Sequence, residues 1–464
     1  MHSPTTVHIT AASITLLAIT FLGLRAGKSV RNASDFSDGG RSASALLVTG
    51  AILGTLVGGS STIGTAQLAC RWGLSAWWFT LGASLGCVAL FFLVDPLRNS
   101  RCLTIQQMIA SRYGVLSGIV TSILTTLGIV LNIVAQILAA NALFFVLFGL
   151  PPEASAALTV VIMASYMAGG VKGAGLLGIV KMVLIYAGCL AGGAVAFHGL
   201  DWGAFESLFP AERYLNLFAR GIGPDLGAGL SVMLGVVSTQ TYIQAILSAK
   251  NSREARKGAL LGALLIPPVG ILSILVGYFM MARYPTIDPA QAFPLFVVNC
   301  LPPAFGGVIL AALLIAVVGT GAGMALGFGT IVTNDLYLKF INPKADSRRL
   351  LWVNRMTILA SLIVSALFVL WNRGSAILRW GFLSMGLRAV VLLVPMLFTF
   401  FTKERVGGGY VILSSSLGLA AMLAAERMSL PVDGLFLGTA ASFFVMYLGW
   451  RFSRDGSARD YKEE

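Results

Sequence analysis

Charge is what this chain has least of. Only 11% of its 464 residues are charged and 57% are hydrophobic, whereas a soluble domain carries about 25% charged residues. That shortage excludes the string of soluble domains that length alone would suggest. The residues that chemistry needs are scarce too. Cys70, Cys87, Cys102, Cys189 and Cys300 form no CxxC pair and have no histidine beside them, so they read as small apolar helix residues. His2, His8 and His198 are terminal or interfacial. There is no HExxH, no GxSxG in a strand–turn–helix context and no pair of carboxylates inside an apolar run, so an enzyme is not expected. Acids are outnumbered, 19 against 32 Lys and Arg, for a net charge of +13. In a membrane protein that surplus gathers in cytoplasmic loops, so it implies no nucleic-acid partner.

What is present is apolar helix. A hydrocarbon core needs about 20 apolar residues of helix to cross it. Such runs fall near 5–24, 44–69, 73–96, 115–146, 153–170, 174–198, 223–247, 256–282, 303–333, 352–371, 375–400, 406–425 and 433–450, thirteen in all. The charges Arg25, Lys28 and Arg31 follow the first run rather than precede it, which predicts an uncleaved first span with its N-terminus outside. Alternate loops assigned to the cytoplasm collect 23 of the 32 Lys and Arg; the opposite loops collect seven, Arg71, Arg213, Arg220, Arg283, Arg373, Arg379 and Arg427. A missed or invented span would scramble that alternation. The expectation is an all-α polytopic protein of the inner (plasma) membrane with thirteen spans and a cytoplasmic C-terminus. Only 14 residues follow Trp450, so no appended module is expected, and no obligatory protein partner is evident beyond the lipid bilayer.

The second span cannot easily stay a helix. In Gly54-Thr-Leu-Val-Gly-Gly-Ser-Ser-Thr-Ile-Gly64, eight of eleven residues are Gly, Ser or Thr. Gly costs about 1 kcal/mol against Ala in a helix interior, and Ser and Thr compete for backbone hydrogen bonds. Gly54 and Gly58 also form GxxxG, a helix-packing device. Packing requires small residues but not the hydroxyls of Ser60, Ser61, Thr62 and Thr65, followed by Gln67. Unwound backbone at mid-membrane is tolerated where it lines a cavity or is buried in protein.

The ninth span repeats the theme. Ala316, Gly319 and Thr320 fall at i, i+3 and i+4, on one helical face. Hard cations take oxygen ligands, so an opened helix offering carbonyls beside such a face is a candidate sodium site. No Asp or Glu lies inside a span; Asp95, Asp225, Asp335 and Asp433 sit at ends. Proton-driven carriers commonly use buried acids or histidines as relays, so a cation held by neutral oxygens is favoured.

These segments resemble the sodium:solute symporter family, which includes proline, pantothenate, sialic acid and sugar carriers. The likeness spans about residues 8–425 and rests on Ser34-Asp-Phe with Gly40-Arg41, Gly64-Thr-Ala-Gln-Leu-Ala with Gly73-Leu-Ser-Ala-Trp-Trp78, Thr104-Ile-Gln-Gln-Met with Arg112-Tyr-Gly, Gly169-Gly170, Ser248-Ala-Lys250, Leu301-Pro-Pro303 and Thr333-Asn-Asp-Leu-Tyr337. The resemblance implies a LeuT-like, ten-helix core of two inverted five-helix repeats: residues 44–200 and 201–402, with 1–43 a peripheral first helix and cytoplasmic loop and 403–464 two peripheral helices and a short tail. It implies one sodium site with backbone ligands on Gly54, Val57 and Ala316 and hydroxyl ligands at Gly319 and Thr320. Gly319 has no hydroxyl. It also places an Asp, and a Gln three residues on, where this chain has Gly178 and Lys181, so no second sodium is expected. Lys181 either snorkels to the cytoplasmic interface or stands in for an ion. The family's Asn/Asp-Gln then Gln-Arg pattern reads here Thr239-Gln240 and Gln244-Ala245.

By the resemblance, solute lies beside the broken helix, with Ser60, Ser61, Thr62, Asn132, Gln136, Gln240 and Gln244 as candidate contacts; the two last either bind solute or bond neighbouring helices. Arg388 either pairs with a carboxylate or satisfies backbone carbonyls. The expected function is cation-coupled import, with sodium as coupling ion, of a small polar organic solute, an organic acid or amino acid rather than a sugar. The alternative is a solute-binding, sensor-like or uncoupled member of the same family.

Overall fold

The computed structural model describes the backbone of residues 3–27, 41–100, 102–166, 170–372, 374–402, 406–428 and 432–460, and the side chains of these except 20, 22–27, 166, 170–177 and 454–460. Ser34, Asp35, Phe36, Gly40 and Gly169, which carry part of the resemblance, lie outside the described residues, as do Lys28, Arg31 and Arg373.

The chain is all-helical. In order, α1 is Thr6–Gly27, α2 Ala45–Leu56, α3 Thr65–Trp72, α4 Trp78–Asn99, α5 Ile105–Tyr113, α6 Val115–Phe148, α7 Pro152–Tyr166 and α8 Gly170–Gly199. The second half continues with α9 Ile222–Val237, α10 Gln240–Ser248, α11 Ser252–Leu265, α12 Pro267–Arg283, α13 Pro303–Ile331, α14 Ser347–Trp371, α15 Ile377–Phe401, α16 Gly408–Arg427 and α17 Gly434–Asp460. Among the described residues, nine helical stretches are long and apolar enough to cross a membrane, ten if the bent pair α9–α10 is one span; Thr6–Ile19, Ala45–Leu56 and Pro152–Ser165 are shorter apolar helices. The sequence suggested thirteen runs. The difference lies in these three shorter helices: the break after α2 leaves it too short to span, while the turn that follows runs through α3 into α4 as one 40-residue apolar stretch, and α1 and α7 count only over their described residues.

Two interruptions position the site. Helix α2 stops at Leu56, and Val57 turns to an extended conformation. A widened turn over Ser60–Gly64 then leads into α3. The second break separates α9 from α10 with a bend of 44°, at Thr239 in an extended conformation. The run 223–247, expected as one unbroken span, ends there instead, and the Thr239 hydroxyl competes for a backbone carbonyl at the break. The Thr239 hydroxyl donates back to Gly235 O at 2.5 Å.

Around these breaks, α6 and α13 form the buried centre. Helix α6 is 34 residues, about 51 Å at 1.5 Å per residue. Gly149 in the left-handed region (φ 63°) closes its C-terminus, a conformation glycine adopts without penalty. Helix α8 lies against α2 in backbone contact: a Cβ built on Gly178 would sit 1.9 Å from Gly50 O and 3.2 Å from Gly54 Cα. No side chain fits there without parting the helices.

Candidate functional site at the first helix break

Unwinding at Gly58 and Gly59 frees backbone groups, and side chains take them up. Gly59 N–H donates to Gln136 Oε1 at 2.8 Å, and the same amide reaches Ser60 Oγ from Nε2 at 3.4 Å. Thr62 Oγ1 donates to Gly58 O at 2.8 Å, Ser61 Oγ accepts from Gly58 N at 3.0 Å, and Thr65 Oγ1 donates to Ser60 O at 3.0 Å. The hydroxyls read from the sequence as solute contacts thus spend part of their capacity stabilising the break. Gln136 ties it to α6. Packing is tight: a Cβ on Gly58 would lie 2.3 Å from Thr320 Oγ1, and one on Gly59 2.3 Å from the Ala139 Cβ.

The sodium-ligand residues also converge, around a nitrogen of the chain's own. Lys181 Nζ donates to Gly54 O, to Ala316 O at 2.9 Å and to Thr320 Oγ1 at 3.1 Å. The Thr320 hydroxyl is 3.3 Å from Val57 O. Lys181 is buried, with 2% of its surface exposed; its stem does not snorkel to the interface but runs inward from α8. The direction follows from the helix crossing: Gly178 presses α8 onto α2, and Lys181, at i+3, shares that face. Gly54 lies in the last turn of α2, whose carbonyls carry the negative end of the helix dipole. A Cβ at Gly319 would sit in ordinary contact, 3.7 Å from Lys181 Cδ and Nζ, so the missing hydroxyl lies beside the lysine.

A sodium ion bound to these oxygens would sit against Lys181 Nζ. Two unit positive charges roughly 3 Å apart repel by about 5 kcal/mol at an effective dielectric of about 20. Three of the oxygens that the resemblance assigns to sodium already accept N–H bonds.

A second buried cation, Arg388 on α15, is fully enclosed. Its Nε donates to Ser384 O at 3.0 Å and Nη2 to Ser384 Oγ at 2.9 Å. Its other contacts are thioether sulfurs, Met324 at 3.5 Å and Met385 at 3.1 Å, which are weak acceptors. Among the described residues neither Lys181 nor Arg388 pairs with a carboxylate. Gly128 on α6 packs on the Arg388 stem. Asn132, one turn along, has a buried Oδ1 without a partner among the described residues. Tyr242 lies within electrostatic reach of Arg388, and its hydroxyl, like that of Ser238, is buried and unpartnered among them.

Gln240 and Gln244 lie apart from the Ser60–Gln136 cluster. Gln240 Nε2 donates to Leu103 O at 2.7 Å, and Gln244 Nε2 to Thr330 Oγ1 at 3.0 Å. They belong to one closed end of the bundle. There Thr104 Oγ1 donates to the Asp335 carboxylate at 2.9 Å, Arg98 Nη1 to Ala249 O at 2.8 Å, and Ala43 N–H to Ser248 O at 2.9 Å. The opposite end is open. A cavity of about 370 Å³ is lined there by Arg71, Arg220, Arg379, Glu426 and Asp433, with Leu378 and Phe382 also in its wall. Burial raises the Asp433 carboxyl above the usual range. Phe382 touches Phe79 with ring centroids 5.7 Å apart, and Gly381 beside it faces Ser60 Oγ, 3.3 Å from where a Cβ would be. Gln67, Leu68 and Trp72 of α3 line the cavity as well, and the aromatic pair lies between it and Ser60 at the break. Arg220, above Phe382 at 5.5 Å, is held by Asp225 at 2.6 Å. Ser75 Oγ also donates to Asp225 Oδ1 at 2.6 Å; of this assembly, which the sequence did not reveal, only the five-residue spacing of Arg220 and Asp225 is local.

Comparison with known proteins accords with this architecture. The uncharacterized symporter YwcA of Bacillus subtilis (strain 168) is 23% identical over 434 residues, 89% of this chain and 84% of that protein. The sodium/proline symporter of Staphylococcus aureus is 24% identical over 393 residues, 79% of this chain and 76% of its own length. A Na+-coupled sialic acid symporter, solved substrate-bound and outward-open, superposes with a TM-score of 0.81 at 16% identity, over 96% of this chain and 97% of that one; the fold is therefore that of a symporter of this architecture. The sequence profile of the sodium:solute symporter family matches residues 36–409, and the chain belongs to that family of membrane transporters.

Proposed function

We propose that this protein is a secondary symporter that imports a small polar organic solute by alternating access around the first helix break. The observation that carries the reading is the break itself, with Gln136 holding Gly59 N–H and an aromatic floor between it and a cavity at one end. Interrupted helices at corresponding places in two halves point to a transporter binding site, and α2–α3 and α9–α10 stand so. That supports thirteen spans, a ten-helix core formed by 44–200 and 201–402, and peripheral helices in 1–43 and 403–464. The loop charges support an N-terminus outside and a C-terminus in the cytoplasm, which makes the 370 Å³ cavity an external vestibule and the Thr104–Asp335 end the closed cytoplasmic gate.

The solute favoured is one with a carboxylate, an organic acid or amino acid. Arg388 has weak thioether acceptors that an anionic oxygen would displace, and Asn132, Ser238 and Tyr242 offer unspent polar atoms. Ser60, Ser61, Thr62 and Gln136 are the further contacts proposed; Gln240 and Gln244 serve the gate. Family membership and the named sodium dependence of relatives support sodium as the coupling ion; the residues that the resemblance gives it, Gly54, Val57, Ala316, Gly319 and Thr320, meet at Lys181 instead. A second reading, a solute-binding or uncoupled member, is favoured by Lys181 at that position.

The test is a thermal-shift screen of purified protein against carboxylates, amino acids and sugars, run in sodium and in potassium, followed by flux into proteoliposomes. A ligand that binds the native state stabilises it in proportion to occupancy. Carboxylate hits that are then transported support the proposal. Hits that bind without flux favour the sensor-like reading, and a screen in which only sugars stabilise removes the carboxylate.

A further inference from the structure

We propose that Lys181 is a tethered cation that takes the place of a free sodium ion between α2 and α13, so that wild-type protein holds no sodium there. The inference rests on the carrier reading above only for its consequence for transport; the binding claim stands on the local geometry.

The ammonium is fully served. It has three N–H donors and three oxygen acceptors, Gly54 O, Ala316 O and Thr320 Oγ1, from two helices other than its own. Three features that looked unrelated in the sequence become one arrangement. Gly178 lets α8 lie on α2, since any Cβ there would meet Gly50 O. That approach brings Lys181, at i+3, to the C-terminal carbonyls of α2. Gly319, whose Cβ position would lie 3.7 Å from Nζ and Cδ, offers no hydroxyl beside them. The acid and the hydroxyl that the family resemblance would place near a free ion are both missing here, at Gly178 and Gly319. A free ion and a tethered one also differ in what they join. A free ion bridging these oxygens would join α2 to α13 only while the outside solution supplies it. The lysine joins α2, α8 and α13 whatever the sodium concentration, and the joint opens by side-chain or helix movement.

The experiment is 22Na+ binding by scintillation proximity on the purified full chain, with melting temperature read in sodium chloride and potassium chloride. It needs no solute, so its outcome is independent of the solute screen. Wild type is expected to show no 22Na+ binding, and no sodium-specific rise in melting temperature, that Thr320→Ala abolishes. Lys181→Ala exposes the Gly54, Val57, Ala316 and Thr320 oxygens, and is expected to gain saturable 22Na+ binding and a sodium-specific rise of several degrees. Both gains should vanish in Lys181→Ala/Thr320→Ala and strengthen in Lys181→Ala/Gly319→Ser, which supplies a hydroxyl. Saturable binding to wild type that is lost in Thr320→Ala overturns the proposal. So does the absence of sodium binding in both folded Lys181→Ala and Lys181→Ala/Gly319→Ser. If the lysine variants fail to fold, wild type against Thr320→Ala decides alone.

Discussion

Two basic side chains are buried at the middle of the bundle, and their surroundings differ in kind. Lys181 meets three oxygens, two of them carbonyls, one at the negative end of an interrupted helix. Arg388 meets one carbonyl and one hydroxyl, both from Ser384, and two sulfurs. Burying a charge is costly unless it is hydrogen-bonded or paired. The first environment meets that cost internally and leaves nothing for a ligand to improve. The second leaves a planar fork of donors against acceptors that any carboxylate outclasses. A satisfied buried cation reads as part of the framework, and an under-satisfied one reads as a place for an anion.

Substitutions can break or sharpen that contrast, beginning with the contact that sets it up. Gly178→Val forces side-chain atoms onto the Gly50 carbonyl. Overpacking costs about 1–3 kcal/mol and occasionally more, so a melting temperature lowered by many degrees, with newly gained sodium sensitivity as Lys181 is drawn away, is expected. An unchanged melting temperature would mean that α8 and α2 do not touch there.

Arg388→Gln comes next. Hydrogen bonds to charged groups contribute about 1.5–3 kcal/mol, so affinity for a carboxylate solute should fall by about 10- to 100-fold in a binding isotherm while neutral ligands are spared. Equal loss for neutral ligands would assign Arg388 to the framework alongside Lys181. Gln136→Leu removes the acceptor of Gly59 N–H. A stranded buried donor costs about 1–3 kcal/mol, readable as a lower melting temperature. The smallest effect is expected of Gln244→Leu, within about 1 kcal/mol. Thr330 Oγ1 keeps its bond to Leu326 O, and Gln244 Oε1 has no partner among the described residues to lose.

The all-helical membrane class and the first break were plain in the sequence, because apolar run length and clustered Gly, Ser and Thr are local properties. Its limits were tertiary. The α9–α10 break rests on just Ser238 and Thr239 after an apolar Val236-Val237, too weak a local signal to read against a helical run. The direction of Lys181 was open because a four-carbon stem reaches either an interface or a neighbouring helix. The contact of Gly178 with Gly50, residues far apart in the chain, decides it. Gln240 and Gln244 share a helical face, as their spacing implied, but what that face meets, Leu103 and Thr330, depends on how α10 is turned by the break.

The most direct test is an experimental map of the wild-type protein at high sodium chloride. Continuous side-chain density from Lys181 to the Gly54, Ala316 and Thr320 oxygens, with no separate ion peak, is the expected result. A spherical peak among the Gly54, Val57, Ala316 and Thr320 oxygens, with the lysine turned away, would contradict it.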